Sequence, residues 1–232
     1  MEQNKKQSAL TKQIELKPLS QSTKDKFKKF THNKWVIIVL LVLIRAGAGA
    51  RVIYTFTQRE GFHSDESWSY GFANSYYEPY IMSNASQTKM HNYYKWTSGS
   101  VLNDYITVQK GQRFRYLSVL YNQKNDMSPP LHSMILHTIC SFFPDSFSWW
   151  YSFSINIAAF FLCMSFLYLL GKKIFKSSWG GILLVAFYGF TTGALNTFVY
   201  LRMYALLTAF SVILTYLHYI MYEKKFIKIK QE

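Results

Sequence analysis

Four blocks of the chain, at 35–56, 149–170, 179–199 and 203–222, are apolar almost throughout. A helix rises about 1.5 Å per residue, so each block is long enough to cross a hydrocarbon layer roughly 30 Å thick. A fifth apolar run, 131–143, has about 13 residues and is too short to cross, which fits a re-entrant or interfacial helix. Asn125-Asp126-Met127-Ser128-Pro129-Pro130 precedes that run, and a proline pair suits a helix start because the first turn needs no N–H from it. The pattern predicts an all-α integral membrane protein with about four transmembrane helices.

Between the first and second blocks lies 57–148, too long for an ordinary connection and therefore a loop with elements of its own. Residues 62–77 mix aromatic and polar side chains like a short helix on a membrane surface, with Ser64 or Asp65 able to cap it and Glu78-Pro79 ending it. The stretch 84–110 is polar and tyrosine-rich and has no assigned element. Its Asn84-Ala85-Ser86 is a formal glycosylation sequon. The long loop is thus expected to carry juxtamembrane surface helices. Residues 1–34 form a polar tail too poor in apolar residues to fold alone, with 24–30 as a short interfacial helix. Residues 35–222 make the membrane domain, and 223–232 a second basic tail.

Charge changes this picture by orienting it. The formal net charge is +14, which on its own would suggest nucleic acid. Its placement argues otherwise. Nine lysines stand before Trp35 against Glu2, Glu15 and Asp25; Lys172, Lys173 and Lys176 follow the second block, and Lys224, Lys225, Lys228 and Lys230 the fourth. Segment 57–148 balances seven basic with seven acidic residues. Alternate basic connections follow the positive-inside pattern, so both termini are expected in the cytoplasm of a multi-pass cell-membrane protein and 57–148 outside. A fifth crossing at 131–143 would put the 172–176 lysines on the wrong side. Membrane lipids, not nucleic acid, are the expected partners.

Two arginines, Arg45 and Arg51, interrupt the first block among small residues. An arginine at such a depth is costly unless it faces protein, water or a partner anion, so Arg45 could meet a lipid phosphate or pair with a carboxylate within the bundle, while the small residues allow a neighbouring helix to approach closely. Cys140 and Cys163 lie in apolar surroundings and read as small buried hydrophobes.

Chemistry-bearing residues cluster at the expected outer surface. His63, Asp65 and Glu66 follow the first span; Asp126, His132 and His137 flank the proline pair; Tyr200, Arg202 and Tyr204 join the last two spans. A cation to hold a phosphate and a carboxylate to accept a hydroxyl proton together suit a reaction on a lipid-phosphate-linked substrate. Adjacent helical side chains diverge by about 100°, so only one of Asp65 and Glu66 faces a given reacting atom. Asp65 is expected as general base, with Glu66 beside it in a supporting or metal-ligating role. His63, Asp126, His137, Arg202 and Tyr204 are expected to bind substrate or phosphate. No cofactor is required by the pattern; a divalent metal is left open, with Glu66 and Asp126 as its candidate carboxylates.

The order of a span, His63-Ser64-Asp65-Glu66, Asp126-Met127-Ser128-Pro129-Pro130-Leu131, a span ending Leu170-Gly171-Lys172-Lys173-Ile174-Phe175, and Leu201-Arg202-Met203-Tyr204 resembles the N-terminal part of GT-C membrane glycosyltransferases of the family 39 type. Protein O-mannosyltransferases and lipid A aminoarabinose transferases belong there. The resemblance implies transfer of a sugar from a polyprenyl-phosphate carrier to an acceptor glycan, lipid or protein at the outer face, with Asp65 matching the loop carboxylate that serves as base. Val199, Tyr200 and Leu201 stand where related motifs often have Gln-Glu-Ala before Arg-Met-Tyr. Family members also carry many more spans, so the resemblance covers their N-terminal part only and leaves a fragment, a truncated gene product or a reduced module as the alternatives, with a second membrane subunit as one source of the missing spans. The other reading of the same residues is a non-catalytic membrane subunit or lipid-phosphate-binding anchor.

Overall fold

The computed structural model describes residues 33–81, 98–126 and 128–229. The short helix expected at 24–30 and the sequon at 84–86 lie outside them. The chain divides into two compact units, Met1–Leu40 and Leu41–Glu232. The described part of the first, 33–40, is the opening of a helix, and every other described residue belongs to the second, Leu41–Glu232.

Among the described residues the chain forms nine α-helices and no strand. The first, α1, runs Lys34–Thr57; α2 (Ser64–Asn74), α3 (Gly99–Ile106), α4 (Tyr116–Asp126) and α5 (Leu131–Phe142) belong to the long connection. Then come α6 (Trp149–Ile174), α7 (Ser178–Gly189), α8 (Thr192–Val199) and α9 (Tyr204–Ile229). Three helices, α1, α6 and α9, are long and apolar enough to cross a membrane, and α7 with α8 makes a fourth if the bent pair is one crossing. The last helix continues to Ile229, seven residues beyond the expected span end at 222.

The expected single span at 179–199 is in fact two helices bent by 65°. Its physical cause is local. Thr191 leaves the helix with extended backbone, and its hydroxyl accepts from the Ala194 N–H to cap α8. Such a break orphans carbonyls, which inside a membrane must find donors within the protein. Arg51 supplies them: its Nη1 donates to the Phe190 carbonyl at 2.7 Å and to that of Thr191 at 3.4 Å. Arg45 has no carboxylate as partner among the described residues. Its Nη2 donates to the Phe161 carbonyl at 2.8 Å and to Ser165 Oγ at 2.6 Å. Both arginines of α1 therefore tie helices together through backbone oxygens.

Helix α6 is the central post, packed by α7, α8 and α9 along its length and by α5 near its start. Its turn into α7 is tight enough to demand glycine. A Cβ on Gly181 would sit 2.6 Å from the Tyr168 carbonyl, and one on Gly171 would sit 2.9 Å from Gly181 Cα. At the other end Asn156, fully buried in α6, donates through Nδ2 to the carbonyls of Phe198 and Tyr200. The bent pair thus runs the length of α6 despite its break. The apolar core gathers Phe56 stacked on Phe153, with Phe160, Met164, Val185, Phe198 and Leu201.

The connecting segment is built differently. Helix α4 turns its polar side inward: Ser118, Asn122 and Gln123 are buried while Leu117 is 73% exposed and Leu120 and Tyr121 are also exposed. The inward donors are bonded, while Asn122 Oδ1 and Gln123 Oε1 are buried without a partner among the described residues. Asn122 Nδ2 donates to the Phe72 and Ser75 carbonyls, Ser118 Oγ to the Ser75 carbonyl, and Gln123 Nε2 to Ser133 Oγ. Helix α5 starts at the proline pair as expected and keeps His132, Ser133, Leu136, His137 and Cys140 inside.

Candidate functional site

The turn between α1 and α2 is where the sequence concentrates charge, and a capping box organises it. His63, rather than Ser64 or Asp65, is the N-cap of α2, with its ring Nδ1 accepting from the Asp65 N–H at 3.2 Å. The reciprocal bond runs from the His63 N–H to Glu66 at 2.9 Å. A box needs its acid three residues after the cap, and counting back from Glu66 lands on 63.

Asp65 and Glu66 diverge sharply. Glu66 is completely buried and has both oxygens engaged: one takes the Arg59 guanidinium and the His63 N–H, the other the Leu201 N–H at 2.8 Å. Arg59 also donates to the Val199 carbonyl at 3.2 Å. With Asn156 holding the carbonyls of Phe198 and Tyr200, the crossing from α8 to α9 is gripped from two sides by side chains. Glu66 is a clamp, placed to fix a backbone.

Asp65 points the other way, with its side chain 41% exposed. Arg202 Nη1 lies 2.9 Å from its Oδ2, and the Tyr200 hydroxyl donates to the same oxygen at 3.1 Å. That hydroxyl is also 3.1 Å from His63 Nδ1. Since Nδ1 accepts the Asp65 N–H, the tyrosine has one proton for two acceptors. Burial, then its bond to Asp65, raises the phenol's pKa, so it stays protonated as a donor. Tyr204, first residue of α9, stacks on Tyr200 at 6.0 Å, and the Arg202 guanidinium lies 6.0 Å from its ring centre.

Arg202 reaches a second group of residues as well. A small cleft of about 10 Å³ is lined by Arg202 and Met203 with Asp126, Ser128, Pro129, His132 and Ser69 among others. That volume holds about one water. Asp126 accepts from Ser128 Oγ across the start of the proline turn. His132 is buried against Ser152, and burial first, then the Arg202 charge, pushes its pKa down to about 4. The guanidinium Nε of Arg202 is buried with no hydrogen-bond partner among the described residues.

The fold therefore brings His63, Asp65, Tyr200, Arg202 and Tyr204 into one cluster and Asp126 to the far side of Arg202. His137 stands apart. It is buried in α5 with Nε2 accepting the Arg115 N–H at 3.0 Å, and burial lowers its pKa. Tyr70, also buried, joins α2 to the start of α6: its hydroxyl donates to the Ser148 carbonyl at 2.8 Å and accepts from the Ser152 N–H at 3.0 Å. For a metal, no group of three His, Cys, Asp or Glu side chains converges among the described residues. Both oxygens of Glu66 in particular are already engaged by Arg59, His63 and Leu201. Arg59 and Asn156 belong to the site's frame, yet nothing marks in sequence their bonds to the carbonyls of Val199, Phe198 and Tyr200, which lie more than forty residues away.

No family model, curated protein or solved structure matches this chain.

Proposed function

We propose that this chain is a membrane glycosyltransferase, or the N-terminal portion of one, that moves a sugar from a polyprenyl-phosphate donor to an acceptor at the outer membrane face. The observation that supports this reading is the division of labour between adjacent carboxylates. Glu66 is buried and consumed by the fold, whereas Asp65 is half-exposed and held in place by Arg202 and Tyr200. A rigidly oriented, accessible carboxylate is what a general base needs. In the proposed step the acceptor hydroxyl gives its proton to Asp65 as its oxygen bonds to the anomeric carbon. The bond from that carbon to the phosphate oxygen breaks, and polyprenyl phosphate leaves with the electron pair. Arg202, beside Asp65 and lining the cleft, is the cation for the phosphate. The resemblance to the family 39 type supports the same roles.

The test is Asp65→Asn, which keeps the Tyr200 contact and removes the base. Sugar transfer from the lipid carrier should drop by about 10²–10⁴-fold; unaltered turnover would overturn the assignment.

The buried Nε of Arg202, which has no hydrogen-bond partner among the described residues, also supports a second reading, a lipid-phosphate-binding subunit without turnover. Carrier binding abolished by Arg202→Gln, with no transfer even when a partner subunit is supplied, would select it.

A further inference from the structure

At the end of α6 remote from Asp65, about 24 Å along the helix axis from Asn156, a cavity of about 400 Å³ opens between α6, the turn and α9. Its lining is Leu169, Lys172, Lys173, Lys176, Ser177 and Ser178 with Tyr216. Three cations thus converge on a space that also has an apolar wall.

Two further features build this place beyond a basic surface. Lys176 has a φ of 50°, in the left-handed region. It follows the last residues of α6, where helices commonly place glycine because a Cβ is strained there. A residue kept in a strained backbone is a pointer to its side chain being used. The turn is also rigid: Phe175 lies against Gly180, where an added Cβ would be 2.4 Å from it, and Gly171 and Gly181 leave no slack on the other side. Ser177 caps α7, its hydroxyl accepting from the Trp179 N–H, so α7 presents its positive end next to the lysines. Lys173 is paired with Glu223 at 2.9 Å. Lys172 and Lys176 have no ion-pair partner among the described residues.

We propose that this cavity is a binding site for an anionic phosphate ester, the headgroup of an acidic phospholipid, with Lys172, Lys176 and the start of α7 holding the phosphate. Leu169 and Tyr216 flank the glycerol and the upper acyl chain. The site is independent of the Asp65 cluster and of any transfer reaction there.

The test uses the purified full chain in detergent with three additions: phosphatidylglycerol, phosphatidylcholine and sodium phosphate. Phosphatidylglycerol should raise the melting temperature and remain bound in native mass spectra, and phosphatidylcholine should do neither. Protection by sodium phosphate to the same extent would assign the site to the free anion rather than the lipid, with the phosphate chemistry upheld. Lys176→Gly relaxes the turn, so this variant should melt no lower than the parent while losing at least fivefold in lipid retention; Lys172→Gln should lose retention similarly. Lys224→Gln removes the same charge from the same end of the bundle but outside the cavity, and should retain lipid. Retention unchanged in Lys176→Gly and Lys172→Gln, or lost equally in Lys224→Gln, would overturn the proposal.

Discussion

At the scale of single residues, neighbours in sequence have opposite energetic weights. Glu66 is buried with three donors, one of them a guanidinium, so its loss leaves Arg59 without a counter-charge and the Leu201 N–H without an acceptor. Glu66→Ala should therefore destabilise the fold by about 3–5 kcal/mol, read from thermal melts in detergent. Asp65→Asn removes an ion pair whose carboxylate is half-exposed and keeps a hydrogen-bonding oxygen for Tyr200, so it should change the same melt by only about 1 kcal/mol. His132 adds a pH dependence. Its pKa falls from an ordinary 6.5 to about 4 on burial beside Arg202, so the unfolded chain takes up the proton first. Stability is full above pH 6.5 and declines as pH drops from there to about 4, by roughly 3 kcal/mol in all. His132→Phe should flatten that slope between pH 4 and 6.5. The carboxylate pair and Arg202 were legible from residue types and order. The capping role of His63 was not, because histidine is a rare cap and only the acid three residues later betrays it.

At the scale of elements, periodicity located α1, α5, α6 and α9 because each is selected by apolar length or by a proline start. It failed for α4, whose inward face is Ser118, Asn122 and Gln123 and whose outward face carries Leu117, Leu120 and Tyr121. Apolar stripes mark the inside only when the inward face is apolar, and of the buried residues of α4 Val119 alone is apolar. Periodicity also ran α7 and α8 together, since the break at Phe190 and Thr191 is tolerated only because a side chain from another helix satisfies it. Arg51→Met keeps the side chain's bulk and withdraws those donors. It should cost about 1–3 kcal/mol per orphaned carbonyl, seen in the thermal melt, with Arg51→Lys recovering part of the loss.

At the scale of the whole chain, the bent pair decides the topology. Its first helix packs at the far end of α6 through Gly181, and its last residues reach Asn156 near the start of α6. If the pair crosses, three crossings separate residue 146 from residue 224, and the two lie on opposite sides of the membrane. Single cysteines at Ser146 and Lys224, both exposed, should then react with an impermeant maleimide from opposite faces of sealed vesicles. Cys140 and Cys163 are buried and should stay silent. Labelling of both positions from one face would make the pair a re-entrant loop. The charge pattern further predicts that residue 224 is the one facing the lysine-rich, cytoplasmic side.

The bond from the Leu201 N–H to Glu66 spans 135 residues of chain. During synthesis Arg59 and Glu66 leave the ribosome together, but the third partner arrives only after α6, α7 and α8 have been made. Until then an acidic side chain destined for complete burial has one of its two oxygens waiting for a donor that does not yet exist. The arrangement of Asp65, Tyr200 and Arg202 thus forms late and all at once, as the last helix is seated. A nascent chain stopped before residue 201 lacks the Leu201 N–H and Arg202, and so has no site.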